Sequence, residues 1–160
     1  MAQRHSDLRI VPVESTESLE TVRVLFNEYW NSFGFTPCFQ GFDEEVANLP
    51  GKYALPGGRL GLAWLNDAAI GCVALRRLDA ERCEAKRLYV RPASRGHGTG
   101  RALLEWVIGE AREAGYREML GDTMPVMNQA LEMYERAGFR RTGPYVPDAT
   151  PGAIYLRLKL

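Results

Sequence analysis

The sequence predicts an α/β protein with one mixed, mostly antiparallel central sheet of about six to seven strands, flanked by about four helices. Two observations lead to this prediction. Strand-like alternation or apolar runs occur in seven segments, and four other segments carry helical spacing or a helix-capping residue. Turn-forming Pro, Gly and Asn residues separate many of these segments. The 160 residues are expected to fold as one domain that covers residues 1–160.

The first half of the chain is predicted to combine two helices with three strands. Ser15 or Thr16 can cap the first helix, and acidic residues in its first turn suit the helix dipole. The predicted elements are a strand at 8–13, a helix ending by Gly34, a short helix at 43–49, and strands at 59–65 and 69–78. The apolar residues of the first helix are Leu19, Val22, Val24, Leu25, Phe26 and Tyr29.

The second half is predicted to alternate strands with helices. A long strand at 82–91 ends at Arg91-Pro92, and Gly138 is placed as the C-cap of the last helix. The other predicted elements are a strand at 119–123, a helix at 126–137, a strand beginning at 139–142 and a half-buried strand at 153–160. The apolar face of the helix after the long strand carries Leu103, Leu104, Val107, Ile108 and Ala111.

Composition and charge argue against several classes of protein. Lys plus Arg and Asp plus Glu number 20 each, whereas nucleic-acid-binding proteins usually carry a basic excess. No stretch approaches the roughly 18 apolar residues of a membrane span, and the N-terminal residues lack the apolar core of a secretory signal. Cys38, Cys72 and Cys83 lack metal-ligand spacing, and Cys72 is expected to be buried. We therefore expect a cytoplasmic protein without nucleic-acid, membrane or metal partners.

A glycine-rich segment lies between the long strand and the helix that follows it: Arg95-Gly96-His97-Gly98-Thr99-Gly100-Arg101. Such a loop presents backbone N–H groups at a helix N-terminus, where the helix dipole adds partial positive charge. Arg95 and Arg101 add full charges near its two ends. The segment is therefore a candidate site for a diphosphate group.

Two common phosphate-binding patterns do not fit this segment. A Walker loop requires Gly-x-x-x-x-Gly-Lys-Ser/Thr, which does not occur. The dinucleotide pattern Gly-x-Gly-x-x-Gly fails because Arg101 or Leu103 stands at its last position. A third pattern, Arg/Gln-x-x-Gly-x-Gly/Ala, is matched by Arg95, Gly98 and Gly100. The alternative is an ordinary glycine-rich turn from a strand into a helix.

A second motif follows the first along the chain. Residues 130–139 read Ala-Leu-Glu-Met-Tyr-Glu-Arg-Ala-Gly-Phe, a helix that carries Tyr134 and runs into Gly138. In order and separation, the two motifs resemble those of the GNAT acetyltransferase superfamily, whose first motif is the acyl-CoA pyrophosphate loop. The resemblance covers residues 60–145 strongly and the N-terminal part in outline. It implies the GNAT fold, acetyl-CoA as co-substrate and N-acetyltransferase activity.

The resemblance also implies an acetyl-CoA site. In the family, the central strand separates from its neighbour near the position of Leu88, and the freed N–H groups bind the thioester carbonyl and pantetheine. One donor aimed at a developing oxyanion contributes roughly 3 kcal/mol. Asn128 is a weaker candidate, because the family often has Asn at the position of Met127. For His97, loop exposure or a phosphate contact is expected rather than catalysis. The implied acetyl-CoA-binding residues are Leu88, Tyr89, Val90, Arg95, Gly96, His97, Gly98, Thr99, Gly100, Arg101 and Asn128.

Two side chains are candidates for the proton transfers of amide formation. A primary amine with a pKa near 10.4 is unprotonated only about 0.04% of the time at neutral pH, so a base is useful. By the resemblance, Glu84 is the candidate base; partial burial would raise its pKa, and it would share a strand face with Leu88. The alternatives are a solvated Glu84, or Glu81 as a weaker base. Tyr134 is the candidate acid for the departing thiolate, with core packing as its alternative role.

The sequence leaves the acceptor open. The N-terminal helices, the aromatic loop at 31–40 and the turn at 145–151 are expected to bind it, and Arg76 and Arg77 are candidates to contact an acidic group on it. An amino acid, a polyamine, an antibiotic and a protein amine are all compatible, and a homodimer is possible. The main hypothesis is an N-acetyltransferase that acts by direct attack of a primary amine. The alternative is a non-catalytic acyl-CoA-binding regulatory module.

Overall fold

The computed structural model describes residues 7–32, 41–125, 127–147 and 151–160. These residues form a mixed sheet flanked by helices, so the predicted fold class is confirmed. The strands are β1 (Leu8–Pro12), β2 (Arg59–Leu65), β3 (Ala68–Arg77), β4 (Arg82–Val90), β5 (Glu118–Thr123), β6 (Arg140–Thr142) and β7 (Ile154–Lys159). The helices are α1 (Thr16–Asn31), α2 (Phe42–Ala47), α3 (Thr99–Glu113) and α4 (Asn128–Arg136).

The sheet has the strand order β1-β2-β3-β4-β5-β7-β6 and is antiparallel except at one pair. β4 and β5 run parallel, and α3 connects them along the chain. Their pairing covers only residues 82–84 of β4, against residues 118–120 of β5. Within the described part of the chain, residues 85–90 of β4 therefore have no strand partner on the β5 edge. A gap opens in the middle of the sheet.

β4 also carries a bulge against β3. Lys86 and Tyr89 pair with β3 residues that are two positions apart, so Arg87 and Leu88 together oppose a single residue of β3. Arg87 has a φ of +57°, in the left-handed region that residues with a side chain rarely adopt. Because a bulge inserts one residue, the side chains before and after it no longer alternate in register.

The sheet separates two apolar cores. All five predicted apolar residues of α3 are buried, which confirms the predicted face of this helix, and Cys72 is buried as expected. The core under α3 and α4 includes Val73, Leu75, Leu103, Leu104, Val107, Ile108, Ala111, Met119 and Tyr134. The core under α1 and α2 includes Val22, Leu25, Phe26, Phe42, Leu60, Leu62, Cys72, Ala74 and Tyr89.

The structure corrects some details of the predicted elements. Val24 is 51% exposed, because it lies outside the apolar stripe that contains Leu25 and Phe26. Ser15 is the residue that caps α1, and α4 begins at Asn128 with Met127 as its N-cap, whereas Val126, the predicted start, lies outside the described residues. In the described ranges, every helix falls short of the length or the apolar content that a membrane crossing requires. The predicted helix end near Gly34, most of the aromatic loop and Cys38 lie outside the described residues.

Candidate active site

The glycine-rich segment connects the end of β4 to α3. Gly96 and Gly98 have φ values of +86° and +81°, which glycine adopts without strain and other residues rarely adopt. Gly98 is the N-cap of α3, and among the described residues no side chain caps that end by a hydrogen bond. The first backbone N–H groups of α3 therefore remain available at the positive end of the helix dipole. This geometry suits the binding of an anion.

A cavity of about 720 Å³ lies between this loop, the end of β4 and the start of α4. The structure brings ten of the eleven predicted acetyl-CoA-binding residues to its wall: Leu88, Tyr89, Val90, Arg95, Gly96, Gly98, Thr99, Gly100, Arg101 and Asn128. The eleventh, His97, is exposed and does not line the cavity. The other lining residues are Tyr29, Ser32, Met127, Gln129, Ala130 and Met133.

Packing and hydrogen bonds shape the entrance of this cavity. Arg95 Nε donates to the carbonyl oxygen of Val90 at 2.9 Å, and its guanidinium lies 5.9 Å from the centre of the Tyr89 ring. A Cβ atom on Gly100 would lie 3.4 Å from Met133 Sδ, closer than most such contacts. A larger side chain at Gly100 would therefore crowd the space between α3 and α4.

Glu84 is buried next to the gap between β4 and β5, with an exposed fraction of 1%. Its carboxylate accepts hydrogen bonds from Arg76 Nε and Tyr145 Oη, both at 2.5 Å, and lies 3.6 Å from Lys86 Nζ. Burial alone would raise the pKa of Glu84, but Lys86, Tyr145 and Arg76 together hold that pKa below its usual value. The expectation of a raised pKa at Glu84 is therefore wrong.

The bulge also overturns the expectation that Glu84 and Leu88 share a face of β4. Glu84 pairs across the sheet with Arg76, on the face of α1 and α2, where Tyr89 joins the core. Leu88 instead packs against the core under α3. The period of two fails here because Arg87 and Leu88 occupy the space of one residue.

Asp122 on β5 is the carboxyl group whose pKa is raised at this site. It follows Leu120, the pairing partner of Glu84, by two residues, and therefore lies on the same face as Glu84. Burial is the main cause of its raised pKa, and the charge of Glu84 adds to it, whereas Lys86 acts in the opposite direction. The property predicted for Glu84 is thus found at a residue that the sequence analysis did not single out.

Tyr134 is buried in α4, where its ring packs edge-on against Phe139 with the ring centres 5.2 Å apart. Burial raises the pKa of Tyr134 well above its usual value of 10, and Tyr29 and Asp122 contribute in the same direction. The phenol therefore stays protonated at neutral pH, as an acid must. Tyr134 itself does not line the 720 Å³ cavity, whereas Tyr29, which contributes to the raised pKa of Tyr134, does.

A second cavity, of about 350 Å³, lies on the other side of the bulge. Its wall consists of residues from the segment 41–53, together with Lys86 and Arg87 of β4. Glu45 receives two hydrogen bonds from Arg87, at 2.9 and 3.2 Å, and one from Tyr53 Oη at 3.0 Å. Although burial opposes it, the pairing of Glu45 with Arg87 and Lys52 lowers the pKa of Glu45 to about 2.

Sequence analysis missed Lys86 and Asp122, and it placed Tyr145 in the predicted acceptor-binding turn at 145–151 without giving it a role of its own. Lys86 stands two positions after Glu84, so strand alternation could have placed both side chains on one face. Asp122 required the pairing of β5 with β4, and Tyr145 lies in an irregular segment that carries no periodic signal. Arg76, which was a candidate to contact an acidic group on the acceptor, forms an ion pair with Glu84.

In the described ranges, no group of three or more His, Cys, Asp and Glu side chains could hold a metal ion.

Comparisons with known proteins agree with the two sequence motifs. The family model described as "Acetyltransferase (GNAT) family" matches residues 21–139. An uncharacterised N-acetyltransferase of Schizosaccharomyces pombe is 36% identical over 157 residues, which cover 97% of this chain and 96% of that protein.

Solved structures share the same fold. The Salmonella typhimurium protein yncA, solved with its cofactor acetyl-CoA, matches with a TM-score of 0.74 at 20% identity over 96% of this chain and 94% of that chain. The PaiA N-acetyltransferase of Thermoplasma acidophilum, in complex with coenzyme A, matches with a TM-score of 0.76 at 18% identity over 96% of this chain and 99% of that chain.

Proposed function

The chain belongs to the GNAT family of N-acetyltransferases, and we propose that it moves an acetyl group from acetyl-CoA to a primary amine of a small molecule or peptide by direct attack. One observation carries this proposal. The 720 Å³ cavity, with its anion-binding loop, is lined by Leu88, Tyr89 and Val90 of the β4 segment that β5 leaves unpaired, and Glu84 and Asp122 flank the point where that pairing stops. A coenzyme and an amine could therefore meet at β4.

The loop and α3 are suited to the diphosphate of acetyl-CoA. Backbone N–H groups after Gly98 would donate to its oxygens, and Arg95 and Arg101 would supply positive charge near by. The two GNAT-fold proteins solved with acetyl-CoA or coenzyme A support the choice of ligand. The pantetheine arm would lie along the part of β4 that lines the cavity, residues 88–90.

The edge of β4 that faces the gap would bind the thioester carbonyl. Arg91 N–H donates to Ile70 O on the β3 side. Because N–H groups alternate along a strand, those of Val90 and Leu88 point toward the edge that β5 leaves free. A donor of this kind stabilises the oxyanion by about 3 kcal/mol when it is aimed at the developing charge.

Asp122 and Tyr134 would handle the protons. Asp122 takes one proton from the ammonium group, so that the neutral amine attacks the carbonyl carbon and forms the C–N bond. The C–S bond then breaks, the thiolate takes the phenolic proton of Tyr134, and the second proton of the nitrogen restores the phenol. Glu84 was the predicted base, but its three partners favour its ionised form, so Asp122 is the stronger base of the two. In this proposal Glu84 positions Arg76, Lys86 and Tyr145.

Thermal unfolding with increasing acetyl-CoA tests the ligand, and thiol release with a panel of amines tests the reaction. At 100 times its dissociation constant, acetyl-CoA should stabilise the fold by about 2.7 kcal/mol, whereas NADH and ATP should not. Stabilisation without thiol release from any amine would favour the non-catalytic acyl-CoA-binding module. No stabilisation would refute the proposed ligand. The homodimer and the cytoplasmic location stay predictions.

A further inference from the structure

Charged side chains surround the 350 Å³ cavity beside the bulge. Among the described residues, two carboxylates, those of Glu45 and Glu84, form ion pairs there with four cationic side chains. The four cations are Lys52, Arg76, Lys86 and Arg87. Glu44 also lines the cavity. The four cations differ in how well each is paired.

Three of the four cations are well satisfied by the protein. Glu45 holds Arg87 at 2.9 Å and Lys52 at 2.8 Å, and Lys52 is also 43% exposed to solvent. Arg76 donates to Glu84 at 2.5 Å. These pairs leave the fourth cation, Lys86, as the one with the poorest partner.

Lys86 is mostly buried and lines the cavity. Only 16% of its side chain is exposed, and within the described residues its one ion pair is with Glu84 at 3.6 Å, a carboxylate already bonded to Arg76 and Tyr145. Burial lowers the pKa of Lys86, and the charges of Arg87 and Arg76 act in the same direction. Because Lys86 is buried and weakly paired, an anion that enters the cavity would stabilise its charge more than that of the other three cations.

We propose that the amine acceptor carries a carboxylate, which Lys86 binds while the amine lies at Asp122, so that the substrate is an amino acid or a closely related amino-carboxylate. This inference rests on the proposed acetyl transfer and adds the class of acceptor. Lys86 follows Glu84 by two residues and Asp122 follows Leu120, the pairing partner of Glu84, by two, so both lie on one face of the sheet on opposite sides of the gap, where one small molecule can reach both. A cavity of 350 Å³ suits a small acceptor.

Matched acceptors test this inference on the wild-type protein. Thiol release from acetyl-CoA is measured with L-leucine, L-leucinamide and isoamylamine, and with L-phenylalanine and phenethylamine, and rates are compared per unprotonated amine. We expect kcat/KM to be at least tenfold higher for an amino acid than for its partner without the carboxylate. Equal or better turnover of the carboxylate-free amines would overturn the inference, and so would no turnover of either set by a protein that acetyl-CoA stabilises.

The variant Lys86→Met locates the carboxylate. It should raise KM for the preferred amino acid at least tenfold more than it raises KM for the carboxylate-free amine, and leave acetyl-CoA stabilisation unchanged. Lys159→Met, on an exposed position of β7, is the matched control and should change none of these values. An equal loss of kcat/KM with both acceptors would show that Lys86 does not bind the carboxylate. If Lys86→Met does not fold, the wild-type panel still decides. Failure of the proposed function would look different, because no amine, with or without a carboxylate, would then release thiol from acetyl-CoA.

Discussion

The two parts of β4, on either side of its bulge, belong to two sites that use different chemical groups. After the bulge, residues 88–90 line a cavity together with the glycine-rich loop, where the first backbone N–H groups of α3 are not capped by a side chain. Before it, Glu84 and Lys86 belong to a network of buried charged side chains that come from β3, β5 and the segment before β7. A site that binds its ligand through backbone N–H groups, here called the backbone-built region, tolerates many side-chain substitutions. The stability of a charge network depends on every one of its side chains.

This contrast predicts how substitutions will act. Changes on the loop side should alter coenzyme binding when they change backbone conformation or remove the positive charge of Arg95 or Arg101. Changes on the network side should alter acceptor chemistry or stability through single side chains, because each buried charge depends on its partners.

Asp122→Asn should produce the largest effect. Loss of the general base is expected to lower kcat/KM by about 10²- to 10⁴-fold, with acetyl-CoA binding unchanged. In the wild type, kcat/KM should rise with pH through the pKa of Asp122, which lies above its usual value of 3.8, and this acid limb should disappear in the variant. Glu84→Gln is the comparison: if it abolishes the acid limb and Asp122→Asn does not, Glu84 is the base.

Gly98→Val should lower the affinity for acetyl-CoA about a hundredfold, which corresponds to the loss of about two charge-assisted hydrogen bonds. The cause is strain at a φ of +81°, which displaces the N–H groups of the loop. Gly115→Val is a matched control at the other end of α3, because its φ is +90° and a Cβ atom there also meets open space. Both variants should lose similar stability; equal affinity for acetyl-CoA in a titration would refute the role of the loop.

Glu45→Gln should lower the free energy of unfolding by about 3 kcal/mol at pH 7. The pKa of Glu45 falls from its usual 4.5 to about 2 on folding. Its contribution is therefore complete above pH 4.5 and is lost as the pH falls toward 2, where variant and wild type should converge. Urea unfolding across this pH range measures the difference. Glu105→Gln breaks an exposed pair with Arg101 and should cost less than about 0.5 kcal/mol, so a similar loss in both variants would contradict the contrast between the two regions.

Tyr134→Phe should have the smallest of the four effects. Loss of the phenolic proton is expected to lower kcat about tenfold, because a thiolate can leave without acid assistance. Packing against Phe139 is retained, so acetyl-CoA stabilisation should stay within error of the wild type. An unchanged kcat would leave Tyr134 with a packing role alone.

Much of the backbone-built region could be predicted from sequence because its requirements are local. Gly96, Gly98 and the apolar face of α3 stand in one continuous segment, and positive φ values and helical spacing leave direct marks on residue type. The charge network could be predicted only in part. Glu84 was identified, but its pKa depends on Arg76 and Tyr145, which long-range pairing brings to it.

The bulge shows why the remaining details were missed. Strand alternation predicted a common face for Glu84 and Leu88, and one residue with a positive φ, Arg87, reverses that relation. Arg87 has no special sequence signal, because its conformation is maintained by a partner, Glu45, that lies 42 residues away. Asp122 was missed for a similar reason, because only the pairing of β5 with β4 places it beside Glu84.

The short pairing between β4 and β5 has a mechanical consequence. Within the described residues, strand pairing between the half-sheet β1–β4 and the half-sheet β5–β7 comprises three residue pairs, so the two halves are open to independent fluctuation at the gap. A pantetheine chain carries amide groups of its own, and one lying in the gap would serve as a short extra strand between them. Coenzyme binding would then hold the two halves of the sheet together. Amide hydrogen exchange along β4 and β5 would slow together when the coenzyme is bound.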